Sequence, residues 1–448
     1  MSDSSRYVYD ALYGRVQYPA YVWEILSCPE IQRLREVRLC NINSLCLTGG
    51  ANINRYEHSL GAAYLALQCV SAWPRDIDEK TKKRIVLAAL LHDLGTTAFG
   101  HSVQYVLDTR GYQHESVYDI ITQQDGTEHQ GKYSYQHARM EPIYFGLPKR
   151  LVRLIPDEDL KVINDIVKGK GPLAPLVNGT IDLDNLDNVY RLAYHIGLVH
   201  STEVPVKIAS AMWIEDGQLV IKESVSELLK DWYDVRRTLY RYLLLNPDEF
   251  SAKCMLEEAL YLAQTRSSGL FSWNDVDYQL LEKLSTCSDE VRNIISRLMI
   301  GDLYGCIGLY STARIESYDM LTDQSFRRSV EQKIEARLRK IKQSSLKSTI
   351  IAIHAIKDVN KTQRQITVTT DAGRQVSVGT PSHQVLIGVF FKNAHLSVTS
   401  ISRSMLEEHR VSHAVQGELK QVFADSEIEE LTLYGEAFST DCQVVGAH

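Results

Sequence analysis

The sequence lacks long hydrophobic runs. Its longest uncharged apolar stretches, Ile85 to Leu91 and Val385 to Phe391, fall far short of the roughly 20 residues a bilayer-spanning helix needs, so a soluble protein is expected. Paired cysteines are missing as well. Eight are scattered at positions 28, 40, 46, 69, 254, 287, 306 and 442 without a Cys-x-x-Cys, which argues against a zinc ribbon or a disulfide frame and fits reduced thiols packed as small hydrophobes. With 11 prolines, 25 glycines, no low-complexity tract and no internal repeat in 448 residues, disordered, collagen-like and solenoid architectures are excluded. The start, MSDSSRYVYD, has no basic segment leading into an apolar run, so the cytoplasm is the expected compartment. Net positive charge is absent too. The balance of 49 basic against 56 acidic side chains gives -7, which argues against a surface-wide nucleic-acid footprint and leaves room for one local basic pocket around a small anion.

Up to about residue 345, apolar positions recur at three and four residue spacing, which predicts a long helical domain over 1–345. One such stripe is Val225, Leu228, Leu229, Trp232, Tyr233, Leu239, Tyr240 and Leu243, and a second helix covers Ser288 to Met299. Asn246-Pro247-Asp248 reads as a capped helix start. After a basic helical segment, Arg327 to Lys347, period-two runs appear at 350–356, 365–370, 375–378 and 385–391. A helix near 402–422 and a strand at 430–433 then complete a small α+β module over 346–448. The predicted fold class is mainly α, with an all-helical core and this appended module.

Histidine is the informative residue, because six of the fourteen, at 58, 92, 101, 114, 129 and 137, fall within eighty positions. His58 lies in Arg55-Tyr-Glu-His-Ser-Leu-Gly, and His92-Asp93-Leu-Gly ends the apolar stretch from Ile85. Asp182 and Asp184 follow in Gly-Thr-Ile-Asp-Leu-Asp. A helix so apolar is interior, and burying an imidazole beside an ionised Asp93 without partners costs about several kcal/mol. Two solutions stay open on these residues alone: a metal cation held by imidazole and carboxylate, or a core histidine tied to a backbone carbonyl with the aspartate capping the next segment.

The ordered set Arg55-x-x-His58-Ser-Leu-Gly, His92-Asp93-Leu-Gly, Phe99-x-His101, His114-Glu115 and Ile181-Asp-x-Asp184-x-x-Asp187 resembles the HD-domain phosphohydrolases. Within them it is most like the deoxynucleoside triphosphate triphosphohydrolase branch, over roughly Ile31 to Leu245. The resemblance implies an all-helical HD core and one divalent metal ion (Mn, Fe, Mg or Zn) held by His58, His92, Asp93 and Asp184. It implies catalytic roles for His101 and His114 beside the scissile phosphate, with Glu115 orienting the second. Arg55 and, more loosely, Arg236 are implied phosphate contacts. A nucleotide substrate and a homo-oligomer are implied partners, with no membrane. His129 and His137 read as a loop or flap, and His195 and His200 as packing.

Departures from the family pattern gather on the substrate side. Thr96 stands where the family has a histidine, Asn185 and Asn188 where it has lysine and tyrosine, Leu192 for an aspartate and Leu244 for a tyrosine. A cation and sugar contacts are thus missing, each charge-assisted bond being worth about 1.5–3 kcal/mol. The leading expectation is hydrolysis of a (deoxy)nucleoside triphosphate to nucleoside and triphosphate. The alternatives are hydrolysis of another phosphate ester, a monophosphate or cyclic diester, and a nucleotide-sensing regulatory protein with little turnover.

Overall fold

The computed structural model describes residues 6–40, 52–100, 103, 144–266, 272, 274–341, 349–393 and 409–431. The fold is mainly helical, and the helices that carry the histidine and aspartate motifs form its first core. Helix α1 (Ala20–Leu26) and the short α2 (Pro29–Gln32) lead to α3 (Arg55–Ser71), which packs against α4 (Glu79–Leu91) and α6 (Leu183–His195); α5 (Asp157–Val167) lies on α4. Side-chain caps start three of these helices: Asn54 accepts from Glu57 N, Asp78 from Thr81 N and Asp182 from Asn185 N. Each such cap is worth about 1 kcal/mol. Helix α4 begins as a charged surface turn and ends with Ile85 to Leu91 essentially fully buried, so the chain delivers His92 to the interior.

Downstream, α7 (Glu203–Ala209) and α8 (Leu228–Leu245) close the first core, and Asn246 caps α9 (Pro247–Arg266) by accepting from Asp248 N and Glu249 N. Helices α10 (Asp277–Cys287) and α11 (Asp289–Met299) then pack beside α9, followed by α12 (Glu316–Thr322) and α13 (Gln324–Arg339). Helix α14 (His409–Phe423) comes late in the chain. Part of the basic run from Arg327 is paired: Arg327 with Glu257, Arg328 with Glu331 and Glu335, and Arg339 with Glu335. Among the described residues no helix is long and apolar enough to cross a membrane.

The strands depart from the expected partition. An antiparallel hairpin, β1 (Tyr7–Asp10) with β2 (Gly14–Gln17), opens the described chain. A second, β3 (Met212–Glu215) with β4 (Gln218–Ile221), turns through Asp216 and Gly217, both at positive φ. Strand β4 then pairs in parallel with β7 (Ile366–Thr370), which pairs with β8 (Gln375–Val378). The other sheet has the order β10 (Glu429–Glu430), β5 (Gly305–Thr312), β9 (His383–Phe391), β6 (Ile351–Val359). Both sheets therefore draw strands from either side of residue 345, so the region before it is not purely helical and the strands after it do not pair only among themselves. Strand β9 shows why: Leu386 and Phe390 join the core under α9 to α11, while Val385, Ile387, Val389 and Phe391 join the one under α13 and α14. A strand covered on both faces by different helix layers has no polar side.

Candidate metal centre

His58 lies in the first turn of α3, His92 caps the end of α4 with Asp93 next to it, and Asp184 lies in the first turn of α6. The fold brings these four side chains together. His58 Nε2 is 3.1 Å from His92 Nε2 and 3.0 Å from Asp184 Oδ1. His92 Nε2 is 3.6 Å from carboxylate oxygens of both Asp93 and Asp184, and His58 Nε2 is 3.9 Å from Asp93.

The outer nitrogens fix the tautomers. His92 Nδ1 donates to the Ala89 carbonyl at 2.8 Å, which can only accept, and His58 Nδ1 meets Asp187 Oδ1 at 2.7 Å. Both Nε2 lone pairs then converge on one point beside two carboxylates, which is unfavourable without a cation between them. Burial disfavours the His92 imidazolium, yet the Asp93 and Asp184 charges outweigh it and push its pKa up to about 10. Burial likewise works against the Asp93 carboxylate, but Arg55 and then His92 hold it below its usual range. A site that pulls so hard on positive charge, with two imidazole nitrogens and two carboxylates as donors, fits a divalent metal ion.

Two residues of the α6 face support the ligands. Asp187, one turn after Asp184 and fully buried, takes Arg191 through Nε at 2.8 Å and Nη2 at 2.9 Å while holding His58. Arg191 also reaches Asp10 and Glu57. Gly61 makes room for this pair, since a Cβ there would lie 1.9 Å from Asp187 Oδ2. Arg33, buried, donates to the carbonyls of Leu94 and Thr96 and so holds the turn after Asp93. Asp187 stood within the quoted motif without a role; its i+3 spacing from Asp184 was the available signal. Nothing local marked Arg33.

Arg55 pairs with Asp93: its Nη1 lies 2.8 Å from each Asp93 oxygen, and its Nε has no partner among the described residues. Thr96 Oγ1 donates to Asp93 Oδ1 at 3.0 Å. Arg236, on α8, is 3% exposed; Nη2 donates to the Asn360 carbonyl, while Nε and Nη1 have no partner among the described residues. His195 bonds Glu57 rather than only packing. His101, His114 and Glu115, like His129 and His137, lie outside the described residues.

A family model described as the HD domain matches residues 55–158. The uncharacterized protein YwfO of Bacillus subtilis is 26% identical over 277 residues, covering 60% of this chain and 59% of that protein. The deoxynucleoside triphosphate triphosphohydrolase SAMHD1 homolog of Dictyostelium discoideum is 20% identical over 273 residues, 57% of this chain and 50% of that protein. Human deoxynucleoside triphosphate triphosphohydrolase SAMHD1 is 25% identical over 269 residues, 53% and 41%. The chain spans about half the length of the curated relatives it matches. In fold it is similar to the crystal structure of a hypothetical protein from Aquifex aeolicus, with a TM-score of 0.62 at 18% identity, covering 90% of this chain and 100% of that one. Residues 55–158 carry an HD domain, and the chain resembles the HD-domain phosphohydrolases, among them the deoxynucleoside triphosphate triphosphohydrolase branch.

Proposed function

We propose that this protein is a metal-dependent phosphohydrolase that cleaves a (deoxy)nucleoside triphosphate into nucleoside and inorganic triphosphate. The observation that carries the reading is the convergence of His58, His92, Asp93 and Asp184 on one point. A divalent ion held there supplies polarisation of a phosphoryl oxygen, a lowered water pKa and neutralisation of developing charge. The chain's own residues do the rest. Asp187 and the Ala89 carbonyl hold the two imidazoles in the tautomer that presents Nε2. Arg55 keeps Asp93 ionised and aimed at the ligand point. Nε and Nη1 of buried Arg236, without a hydrogen-bond partner among the described residues, are donors for phosphate oxygens, in a setting where a charge-assisted bond is strong. The roles of His101 and His114 as proton donors to the leaving oxygen, with Glu115 as orienter, belong to the same proposal.

The test is to load the purified protein with Mn, Fe, Mg or Zn in turn, measure bound metal, and follow nucleoside mono-, di- and triphosphates by chromatography. Inorganic triphosphate and nucleoside are the expected products, and Asp93→Ala should abolish both metal retention and turnover. Metal-loaded protein that releases no phosphate from any nucleotide overturns the reading. Nucleotide binding without turnover would instead favour a sensor, in which Thr96 on Asp93 takes the place of an imidazole at the phosphates.

A further inference from the structure

The segment joining β6 to β7 lies far outside the HD-domain match, yet it reaches Arg236 and the residue next to Asp184. Asp358 builds it. This carboxylate is fully buried; Oδ1 accepts from Lys361 N, Thr362 N and Ser382 Oγ, and Oδ2 from Gln384 Nε2 and Thr362 Oγ1. Asn360 takes a left-handed φ of 58° and donates its N–H to the Ser382 carbonyl, so the turn is fixed from both sides. It docks on α8 at two points: the Asn360 carbonyl receives Arg236 Nη2 at 3.1 Å, and Gly379, at φ 80°, leaves no space for a Cβ between Tyr233 and the Arg364 carbonyl.

From this turn Arg364 extends to α6, where Nη1 lies 3.3 Å from Asn185 Oδ1, on the residue adjacent to Asp184. The Asn185 carbonyl also receives Trp232 Nε1 from α8 at 3.4 Å. Arg364 thus stands beside Asn185, and Arg236 lies with its guanidinium 4.2 Å over the Tyr240 ring, near enough that the Arg364 charge adds to burial in lowering the Arg236 pKa. The nearby carboxylate, Asp358, has its oxygens committed to the turn. Like charges brought together with N–H groups left unused are stabilised by an anion that lies between them.

We infer that Arg364 is a substrate-binding residue, which together with Arg236 clamps the phosphate chain of the nucleotide beside the metal ligands, so that the segment after residue 345 completes the site. The inference rests on the nucleotide reading above and gives it a residue that no HD motif contains. Asn185 is the α6 position that Arg364 touches, so a lysine at 185 would place an ammonium where the guanidinium now lies.

The test uses the full-length chain with magnesium in excess and compares wild type, Arg364→Gln, and Arg364→Gln combined with Asn185→Lys. Binding of inorganic triphosphate is measured by calorimetry, KM and kcat for a nucleoside triphosphate by steady-state kinetics, and bound metal and the thermal midpoint for each variant. Arg364→Gln should weaken triphosphate binding and raise KM by about 10- to 100-fold, the range of one charge-assisted contact, with metal content and midpoint retained. The second substitution should restore most of that loss. Unchanged affinity in Arg364→Gln, with wild type binding, overturns this inference and leaves the nucleotide reading intact. A loss that lysine at 185 does not repair marks Arg364 as structural and overturns it as well. If wild type binds neither probe, both readings fall.

Discussion

Asp187 shows how much of a metal centre is decided by a side chain that need not touch the ion. Its carboxylate forces His58 to keep the proton on Nδ1, and Arg191 keeps that carboxylate ionised against the pull of burial. Asp187→Asn keeps the shape and removes the charge, which frees the His58 tautomer. Metal affinity should fall by about 10- to 100-fold, the usual effect of losing an outer partner of a ligating histidine, as read by competition with a chelating dye. Unaltered affinity would show that His58 is oriented by packing alone. Gly61 is the steric counterpart. Alanine there drives a methyl into Asp187 and the Arg191 guanidinium, so Gly61→Ala should destabilise the fold by about 3 to 5 kcal/mol, as when a buried ion pair is broken. A denaturant midpoint equal to that of wild type would refute this. Polar residues that interrupt an apolar run or open a helix drew attention to His58, His92, Asp93 and Asp184, and the family resemblance is what singled them out, with Arg55, as a proposed set. Arg33 and Arg364 were not legible, because they reach the site from 61 and 179 residues away in the chain and carry no local pattern.

Between elements, charge as well as apolar packing fastens α9 to its neighbours. Glu257 on α9 meets His354 of β6 and Arg327 of α13. Burial opposes its ionisation, but the contacts to His354 and Arg327 outweigh it and hold its pKa at about 2, below the ordinary 4.5. A folded-state pKa below the unfolded one means that the stabilisation is present above about pH 4.5 and disappears as the pH falls toward 2. Glu257→Gln should therefore lower stability at neutral pH by about 1 to 3 kcal/mol, the side chain being partly solvated. The gap from wild type should close between about pH 5 and 2. A gap that stays constant with pH would place the effect in packing rather than charge.

At the scale of the whole molecule, the strands after residue 349 were readable as short apolar and β-branched runs set off by turn formers such as Asp371-Ala-Gly and Thr380-Pro381, and those expectations fell within a few residues of β6, β7, β8 and β9. Strand β5 was not. Buried on both faces between β10 and β9, it has neither alternation nor helical spacing to read. The β3–β4 hairpin did carry a signal, Asp216-Gly217, which the surrounding helical pattern masked. The expected boundary at 345 runs between paired strands, and its physical consequence can be measured. A chain ending at 345 leaves β5 without β9 and β4 without β7. It also removes Ile366 and Val368 from the first core and Ile356, Leu386 and Phe390 from the second. At about 1.5–3 kcal/mol for each large apolar side chain, those five alone rival the about 5–15 kcal/mol that a whole domain has in reserve. The 1–345 fragment should therefore aggregate or elute as an expanded species in size-exclusion chromatography. It should also lack a cooperative thermal transition, although every proposed metal ligand is retained. A monodisperse fragment that melts cooperatively and binds metal with wild-type affinity would show instead that the helices around the metal centre form an autonomous unit, with the sheets only resting on it.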